Sequence, residues 1–402
     1  MGKPERRKGN KEELTNYRIN ALRIDIKKKV LLAVALVLSV QQTSAAPKVE
    51  NEQLEIRPTK EETAPDSEQS QRDDKLFIAL IQVPPDECDT EDGKVGTCMP
   101  SYECTKRGGV GSGGCAKAFG TCCLVERTCN SETSLNNTYF VNPSAESETV
   151  GACTLTINRA STSICQIRLD FISLRLTDPD TDGYCNDFFT ASGVNMEPNT
   201  ICGKIDGQHM YLDVAPNGGA IKLTVDRQEL NSNNKEWNIQ VTQISCDSKY
   251  KAPESCLQYY TSTSGTVESF NFRKNKDGQL ANQNYGVCIK KAPGYCGITW
   301  ERDTTTEYSF TVSGSTDAVF PDLIGKPAAA DFDGNCLTDY VIIPEGVTDV
   351  PEQHDRYCGL GFPNSVKSTA SPFVLYVRSD NNETPDGLNH GFRLNYRQTN
   401  AC

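Results

Sequence analysis

The eighteen cysteines of this 402-residue chain constrain its fold more than any other feature of the sequence. None of them forms a Cys-x-x-Cys pair, and the chain has only three histidines (His209, His354 and His390), so a metal cluster is a poor explanation for so many thiols. Disulfide bonds are a better explanation, because they form and persist in oxidising compartments. The cysteines therefore predict a secreted, extracellular protein that is held together by disulfides.

The N-terminus has the pattern of a secretory leader. A basic stretch ends at Lys29, and an apolar run of 11 residues, VLLAVALVLSV, follows it. This run is too short to span a bilayer comfortably but suits the core of a signal peptide. We expect residues 1–45 to be a signal peptide cleaved after Ala45, so that the mature chain has no membrane segment. A signal anchor with a short cytoplasmic tail is the alternative, because the basic leader is long.

The charge of the mature chain argues against two classes of partner. Removal of residues 1–45 leaves 31 basic and 49 acidic residues, a net charge of −18. Nucleic acids and anionic lipids are bound through basic patches, so neither is an expected partner. Residues 46–87 are rich in Glu, Asp, Gln, Ser and Pro, which predicts an acidic disordered linker because such a segment buries little apolar surface.

A small cysteine-rich module follows at residues 88–128. Its six cysteines have the pattern C-x9-C-x5-C-x10-C-x6-C-C with little apolar sequence between them, so its stability depends on disulfides. The pattern resembles the clip modules of arthropod extracellular proteins. That resemblance implies the pairs Cys88–Cys122, Cys98–Cys115 and Cys104–Cys123. Clip modules usually precede a trypsin-like protease and none follows here, so a regulatory role and a disulfide-stapled spacer both remain open.

The rest of the chain is a duplication. Its twelve cysteines form two sets of six: Cys129, Cys153, Cys165, Cys185, Cys202, Cys246 and Cys256, Cys288, Cys296, Cys336, Cys358, Cys402. The fifth and sixth cysteines are 44 positions apart in both sets, and a glycine follows the fifth in both. Two units are therefore expected, at residues 129–246 and 256–402.

Both units have the alternating pattern of half-buried strands. Apolar residues occupy every second position in six segments: Ile167 to Phe171, Met210 to Val214, Ile221 to Val225, Tyr308 to Val312, Phe373 to Val377 and Phe392 to Tyr396. Such runs between Asn, Gly, Pro and Asp clusters predict antiparallel sheets with one buried face. The sequence thus predicts an all-β fold, with two antiparallel β-sandwiches after a small disulfide-rich module.

Short motifs within the two units resemble CUB domains. The second unit contains CLTDYVIIPEG, RYCG, PFVLYVRSDNNE and GFRLNY, and the first contains a weaker version in SICQIRLDFISLRL, CNDFF, TICG and WNIQVTQISC. The resemblance covers residues 129–402 and implies two CUB-like sandwiches. Within each CUB-like unit we expect the first cysteine to pair with the second and the fourth with the fifth: Cys129–Cys153, Cys185–Cys202, Cys256–Cys288 and Cys336–Cys358. This leaves Cys165 to pair with Cys246, and Cys296 with Cys402.

Many CUB domains bind calcium, and the resemblance implies which residues would do so here. The matching positions are Asp331, Asp339 and Asp380 in the second unit, and Asp180, Asp187 and Asp226 in the first. Three carboxylates with carbonyls and water suit the six to eight oxygen ligands of calcium. In the first unit Cys-x-Asp replaces Cys-x-x-Asp, and a shift of one residue reverses the face of a strand. The alternative is that these Asp-rich loops are only turns.

Two Asn-x-Thr motifs, at Asn136 and Asn382, predict surface glycosylation. The sequence has no His-Glu-x-x-His, Gly-x-Ser-x-Gly or P-loop motif, and His209 stands among strand residues, where a structural role is expected. We therefore expect a protein that is not an enzyme.

Three functions remain, in order of preference. The first is a secreted adaptor that binds extracellular proteins or glycans through tandem CUB-like domains with the help of calcium. The second is a non-catalytic regulator of an extracellular protease or immune cascade, acting through the clip-like module. The third is a structural protein of matrix or cuticle.

Overall fold

The chain folds almost entirely into β-strands, as the alternating pattern predicts. The structure, a computed structural model, describes residues 83–144, 150–228, 235–274, 278–349, 352–383 and 389–402, all within one compact unit spanning 78–402. The predicted signal peptide and all of the predicted linker before residue 83 lie outside the described residues. Within the described ranges, no helix is long and apolar enough to cross a membrane.

The cysteine-rich module is a small antiparallel sheet with one short helix. Its elements are β1 (Glu87–Asp89), β2 (Val95–Met99), α1 (Ser101–Lys106), β3 (Val110–Cys115), a 3-10 turn (Ala116–Ala118) and β4 (Gly120–Arg127). Strand β4 pairs with β2 and β3. It also runs parallel to a strand of the following sandwich, with Val125 opposite Thr138. The module and that sandwich therefore share one continuous sheet.

The first sandwich consists of two four-stranded sheets. Its strands are β5 (Ser131–Thr133), β6 (Thr138–Val141), β7 (Gly151–Ile157), β8 (Ile164–Arg175), β9 (Phe188–Ser192), β10 (His209–Asp213), β11 (Ile221–Arg227) and β12 (Glu236–Ser245). The strand orders are β5-β7-β11-β9 and β6-β12-β8-β10, and the second sheet continues into β4.

The second sandwich is one curled sheet that folds over itself. Its strands are β13 (Cys256–Tyr260), β14 (Ser264–Glu268), β15 (Asn284–Ile289), β16 (Gly297–Arg302), β17 (Phe310–Thr311), β18 (Ala330–Phe332), β19 (Tyr340–Thr348), β20 (Gln353–Gly359), β21 (Ser365–Ser368), β22 (Phe373–Arg378) and β23 (Gly391–Thr399). Four 3-10 turns precede β19: Thr316–Ala318, Pro321–Leu323, Pro327–Ala329 and Asp333–Asn335.

Strand order shows that the two sandwiches are built alike. The run β13-β15-β22-β19 repeats the order β5-β7-β11-β9, and β14-β23-β16-β21 repeats β6-β12-β8-β10. In both sandwiches the first two strands of the first run are parallel to each other, β5 with β7 and β13 with β15. All other neighbouring strands within the repeated runs are antiparallel. The predicted all-β fold with two sandwiches after a disulfide-rich module is confirmed.

The alternating residues form the core of each sandwich. Ile167, Leu169 and Phe171 on β8 are fully buried, and Leu375 on β22 is equally buried. Burial of one such side chain contributes about 1.5–3 kcal/mol.

Nine disulfides reinforce the sheets, and no cysteine of the described residues is free. They join the same pairs that were expected from the sequence: Cys88–Cys122, Cys98–Cys115, Cys104–Cys123, Cys129–Cys153, Cys165–Cys246, Cys185–Cys202, Cys256–Cys288, Cys296–Cys402 and Cys336–Cys358.

Candidate functional site

A buried polar cluster lies at one end of the second sandwich. Strands β19 and β22 are antiparallel with Tyr340 opposite Arg378, so the start of β19 and the end of β22 lie side by side. Asp339 directly precedes β19, and Asp380 closely follows β22. The Asp380 backbone N–H donates to Asp339 Oδ1 at 2.7 Å. Strand pairing thus brings together two of the three residues predicted to bind calcium in this unit.

Gln279 and Glu383 complete this cluster. Gln279 Nε2 lies 2.8 Å from Glu383 Oε2, 3.1 Å from Asp339 Oδ2 and 2.8 Å from the Val312 carbonyl oxygen. Asp339 is 1% exposed and Glu383 is 5% exposed. Gln279 Oε1 is buried and has no hydrogen-bond partner among the described residues. Gln279, Val312, Asp339 and Glu383, here called the carboxylate cluster, offer the hard oxygen atoms that calcium prefers.

A cavity of about 30 Å³ adjoins the carboxylate cluster. Its polar lining includes Gln279, Asp339 and Ser379, and the rest of its wall is largely apolar core. That volume has space for one water molecule or an ion of similar size.

Asp331 lies apart from the carboxylate cluster. It stands on β18, opposite Cys358 of β20, and its side chain is exposed. Its Oδ1 accepts a hydrogen bond from Asn335 Nδ2 at 3.2 Å. The structure therefore does not join Asp331 to Asp339 and Asp380, because β18 pairs with β20 and not with β19 or β22.

The corresponding end of the first sandwich contains an ion pair. Asp187, 1% exposed, precedes β9 and accepts the Gln228 backbone N–H on Oδ1 at 2.7 Å. Thr177 Oγ1 donates to Asp187 Oδ2 at 2.6 Å, and the Lys235 ammonium pairs with the same oxygen. Burial acts to raise the pKa of Asp187, but the hydrogen bonds from Lys235, Thr177 and Gln228 outweigh it, so the pKa lies below its usual value.

Asp180 and Asp226 do not join Asp187. Asp180 Oδ1 accepts backbone N–H groups from Asp182 and Tyr184 and so closes a turn. Asp226 alternates on β11 with the buried Val225, so it projects from the other face of the sheet. In the first sandwich, the three predicted calcium ligands therefore lie in three different environments.

No group of three or more His, Cys, Asp or Glu side chains that could hold a metal ion occurs among the described residues. Sequence analysis did not identify Gln279, Glu383 or Lys235 as site residues. Glu383 could have been noticed, because it follows Asp380 closely in the same SDNNE motif. Gln279 and Lys235 carry no such signal, since only the folding of separate loops brings them to these sites.

A loop of the first sandwich covers the loops beside the carboxylate cluster. The Gly183 carbonyl oxygen accepts the Ala281 N–H at 3.0 Å, and the Tyr184 hydroxyl donates to the Asn381 carbonyl oxygen at 2.8 Å. Gly183 has a φ of +79°, and a side chain there would overlap Glu383. The two ends that were predicted to bind calcium therefore face each other.

Aromatic residues form a second contact between the sandwiches. Tyr211 of β10 packs edge-on against Tyr259 of β13, within an apolar cluster that also contains Ile244 and Val374. His209 Nε2 accepts the Tyr259 backbone N–H at 3.0 Å. Contacts at both places hold the sandwiches in one arrangement.

The two glycosylation motifs differ in accessibility. Asn382 is exposed, as expected. Asn136 is half-buried, and its Oδ1 accepts the Gln243 backbone N–H at 2.7 Å. Thr138 of the same motif is fully buried. Asn136 is therefore less accessible than Asn382, because its motif runs directly into β6.

Comparison with known protein families finds a match for one of the two sandwiches. Residues 253–399 match the animal CUB domain family. The chain therefore contains a CUB domain. The matched residues are those of the second sandwich, including the carboxylate cluster. No curated protein matches the chain.

Among solved structures, the chain is similar to the CUB1-EGF-CUB2 domains of rat MASP-1, at 14% identity and a TM-score of 0.22, covering 68% of this chain and 99% of that one. The CUB1-EGF-CUB2 domain of human MASP-1/3 is similar at 15% identity and a TM-score of 0.22, covering 65% and 98%. The full extracellular region of zebrafish Gpr126/Adgrg6 has 11% identity and a TM-score of 0.24, covering 68% and 37%.

Proposed function

We propose that this protein is a secreted, non-catalytic adaptor that binds extracellular proteins or glycans through its two sandwiches. The CUB match over residues 253–399 carries this proposal, because CUB domains are generally extracellular binding modules. Nine disulfides support an oxidising, extracellular location. The net negative charge favours a partner surface with exposed lysine or arginine side chains.

We further propose that calcium assists binding at the second sandwich. Asp339 and Glu383 would hold the ion with the Val312 carbonyl oxygen, and Gln279 would turn its buried Oε1 toward it. Asp380 lies beside this cluster, whereas Asp331 lies outside it. When bound, the ion would neutralise the buried carboxylates.

The role of the ion would be to fix the arrangement of the two sandwiches. Glu383 and Asn381 belong to the loop after β22, and Tyr184 of the first sandwich contacts that loop. An ion that orders the loop would therefore stabilise the contact. A partner would meet two sandwiches in one fixed arrangement and would not need to order them on binding.

Calcium titration of the mature protein tests the metal part of the proposal. A site with a dissociation constant near 10⁻⁴ M is filled at extracellular calcium, and a tenfold excess of calcium stabilises the fold by about 1.4 kcal/mol. Thermal unfolding should therefore shift upward in calcium relative to EDTA. Asp339→Asn and Glu383→Gln should abolish the shift, whereas the matched control Asp331→Asn should retain it.

The opposite pattern, in which only Asp331→Asn abolishes the shift, would favour the ligands expected from sequence. Isothermal calorimetry that detects no calcium binding to the wild-type protein would remove the ion from the proposal.

Capture from extracellular fluid tests the adaptor function. The immobilised mature protein should retain a protein or glycan in calcium and release it in EDTA, and Asp339→Asn should retain less. A protease zymogen as the captured protein would favour the regulatory alternative. Failure to retain any protein, together with no signal on a glycan array, would contradict the adaptor function even if calcium binds.

A further inference from the structure

The two sandwiches have a buried aspartate at equivalent positions. Asp187 precedes β9 and Asp339 precedes β19, and these strands occupy the same place in the two strand orders. Both aspartates are 1% exposed, and each accepts one backbone N–H at 2.7 Å, from Gln228 and Asp380 respectively. The duplicated fold thus places the same buried negative charge in both units.

The contacts of these two carboxylates differ. Gln279 presents a neutral carboxamide to Asp339 at 3.1 Å. Lys235 presents an ammonium to Asp187, and its side chain is only 3% exposed. A buried carboxylate is costly unless it is paired and hydrogen-bonded, and so is a buried ammonium. Lys235 and Asp187 therefore stabilise each other where neither could be buried alone.

A calcium ion does not fit beside Asp187 while Lys235 is present. The Asp187 Oδ2 atom already accepts the Thr177 hydroxyl at 2.6 Å in addition to the ammonium. A divalent cation at this oxygen would lie beside the ammonium, and like charges repel strongly in a poorly solvated site. Asp226 lies on the other face of the sheet and Asp180 closes its own turn, so neither adds an oxygen here.

We propose that Lys235 supplies in the first sandwich the positive charge that calcium would supply in the second, which makes the first sandwich independent of calcium. The protein would then combine one sandwich with a built-in cation and one that responds to extracellular calcium. The assignment for the first sandwich rests on Lys235 and Asp187 and does not require that the second sandwich binds the ion.

Hydrogen exchange of the intact mature protein, followed by mass spectrometry of its peptides, measures each sandwich separately. Peptides from β9 and β11 should exchange at the same rate in calcium and in EDTA in the wild-type protein. Lys235→Ala should accelerate their exchange at least tenfold in EDTA, because Asp187 is left buried and unneutralised.

Two controls separate the charge of Lys235 from its packing. Lys235→Arg should retain the wild-type exchange rate to within a few-fold, and Asp187→Asn combined with Lys235→Ala should exchange more slowly in EDTA than Lys235→Ala alone. Lys235→Ala alone could fold too poorly to be purified. In that case Lys235→Arg, which keeps both charges of the ion pair, is compared with the double variant, which has neither. Asp339→Asn serves as a background in which any calcium effect from the second sandwich is removed.

Two results would overturn the inference. One is a hydrogen-exchange rate of β9 peptides that depends on calcium in the Asp339→Asn variant, whose first sandwich carries no substitution. The second is a Lys235→Ala variant that exchanges like the wild type in EDTA.

Discussion

Acidification should lower the free energy of unfolding of this protein through one histidine at the contact between the sandwiches. His209 Nε2 accepts the Tyr259 N–H, so the hydrogen bond requires an unprotonated nitrogen. The ring packs edge-on against Tyr211 and Tyr260, with centroids 5.6 and 4.8 Å away. Burial, assisted by the nearby Arg168 guanidinium, lowers the pKa of His209 from 6.5 to about 4.

The direction and size of the effect follow from this pKa. Asp170 and the hydrogen bond from Tyr259 oppose the lowering but do not cancel it. As the pH falls, the unfolded chain takes up a proton near pH 6.5, whereas the folded chain does so only near pH 4. The free energy of unfolding therefore decreases between these two values, by about 3 kcal/mol in total. About 2.5 kcal/mol of this is lost between pH 7.5 and 4.5.

Urea unfolding at pH 7.5 and 4.5 measures this loss. Trp237 and Trp300, both buried, report on the first and second sandwich respectively through their fluorescence. His209→Gln is the matched control, because glutamine can accept the same hydrogen bond and does not titrate. The wild type should lose about 2.5 kcal/mol more than His209→Gln on acidification. Equal losses in the two proteins, within about 0.5 kcal/mol, would refute the assignment of this sensitivity to His209.

Two further predictions concern the contact between sandwiches and the duplicated disulfides. Gly183→Ala should destabilise the protein more than Gly207→Ala, because both glycines have φ near +77° but only a side chain at position 183 would overlap Glu383; thermal unfolding of the two variants measures the difference. Removal of the Cys165–Cys246 disulfide by alanine substitution should cost about 4 kcal/mol, as expected for a bridge across a separation of 81 residues, and chemical denaturation should detect it.

Local patterns predicted most of the fold. Alternation of apolar residues is a property of neighbours two positions apart, so β8, β11 and β22 could be recognised without knowledge of their partners. The equal spacing of Cys202 to Cys246 and of Cys358 to Cys402 similarly indicated two related units. The parallel pairing of β5 with β7 could not be recognised, because pairing direction depends on connections between distant segments.

The candidate site was predictable only where it follows local strand geometry. Asp339 stands three residues after a cysteine, at the start of a strand, and its burial follows from that position. Asp331 has an equally suggestive place in the sequence, yet β18 pairs with β20 and leaves it exposed. A motif states how far apart two residues are along the chain, but not which strand edge each will face.

The sequence alone predicted a disulfide-bonded, all-β chain with two related units, because cysteine number and strand alternation need no tertiary information. The tertiary structure decided which side chain contacts each buried aspartate. Lys235 reaches Asp187, and Gln279 reaches Asp339, from loops whose positions are set by the packing of whole sandwiches. Charge balance in a buried site depends on distances of a few ångströms between remote segments, and only the folded chain defines those distances.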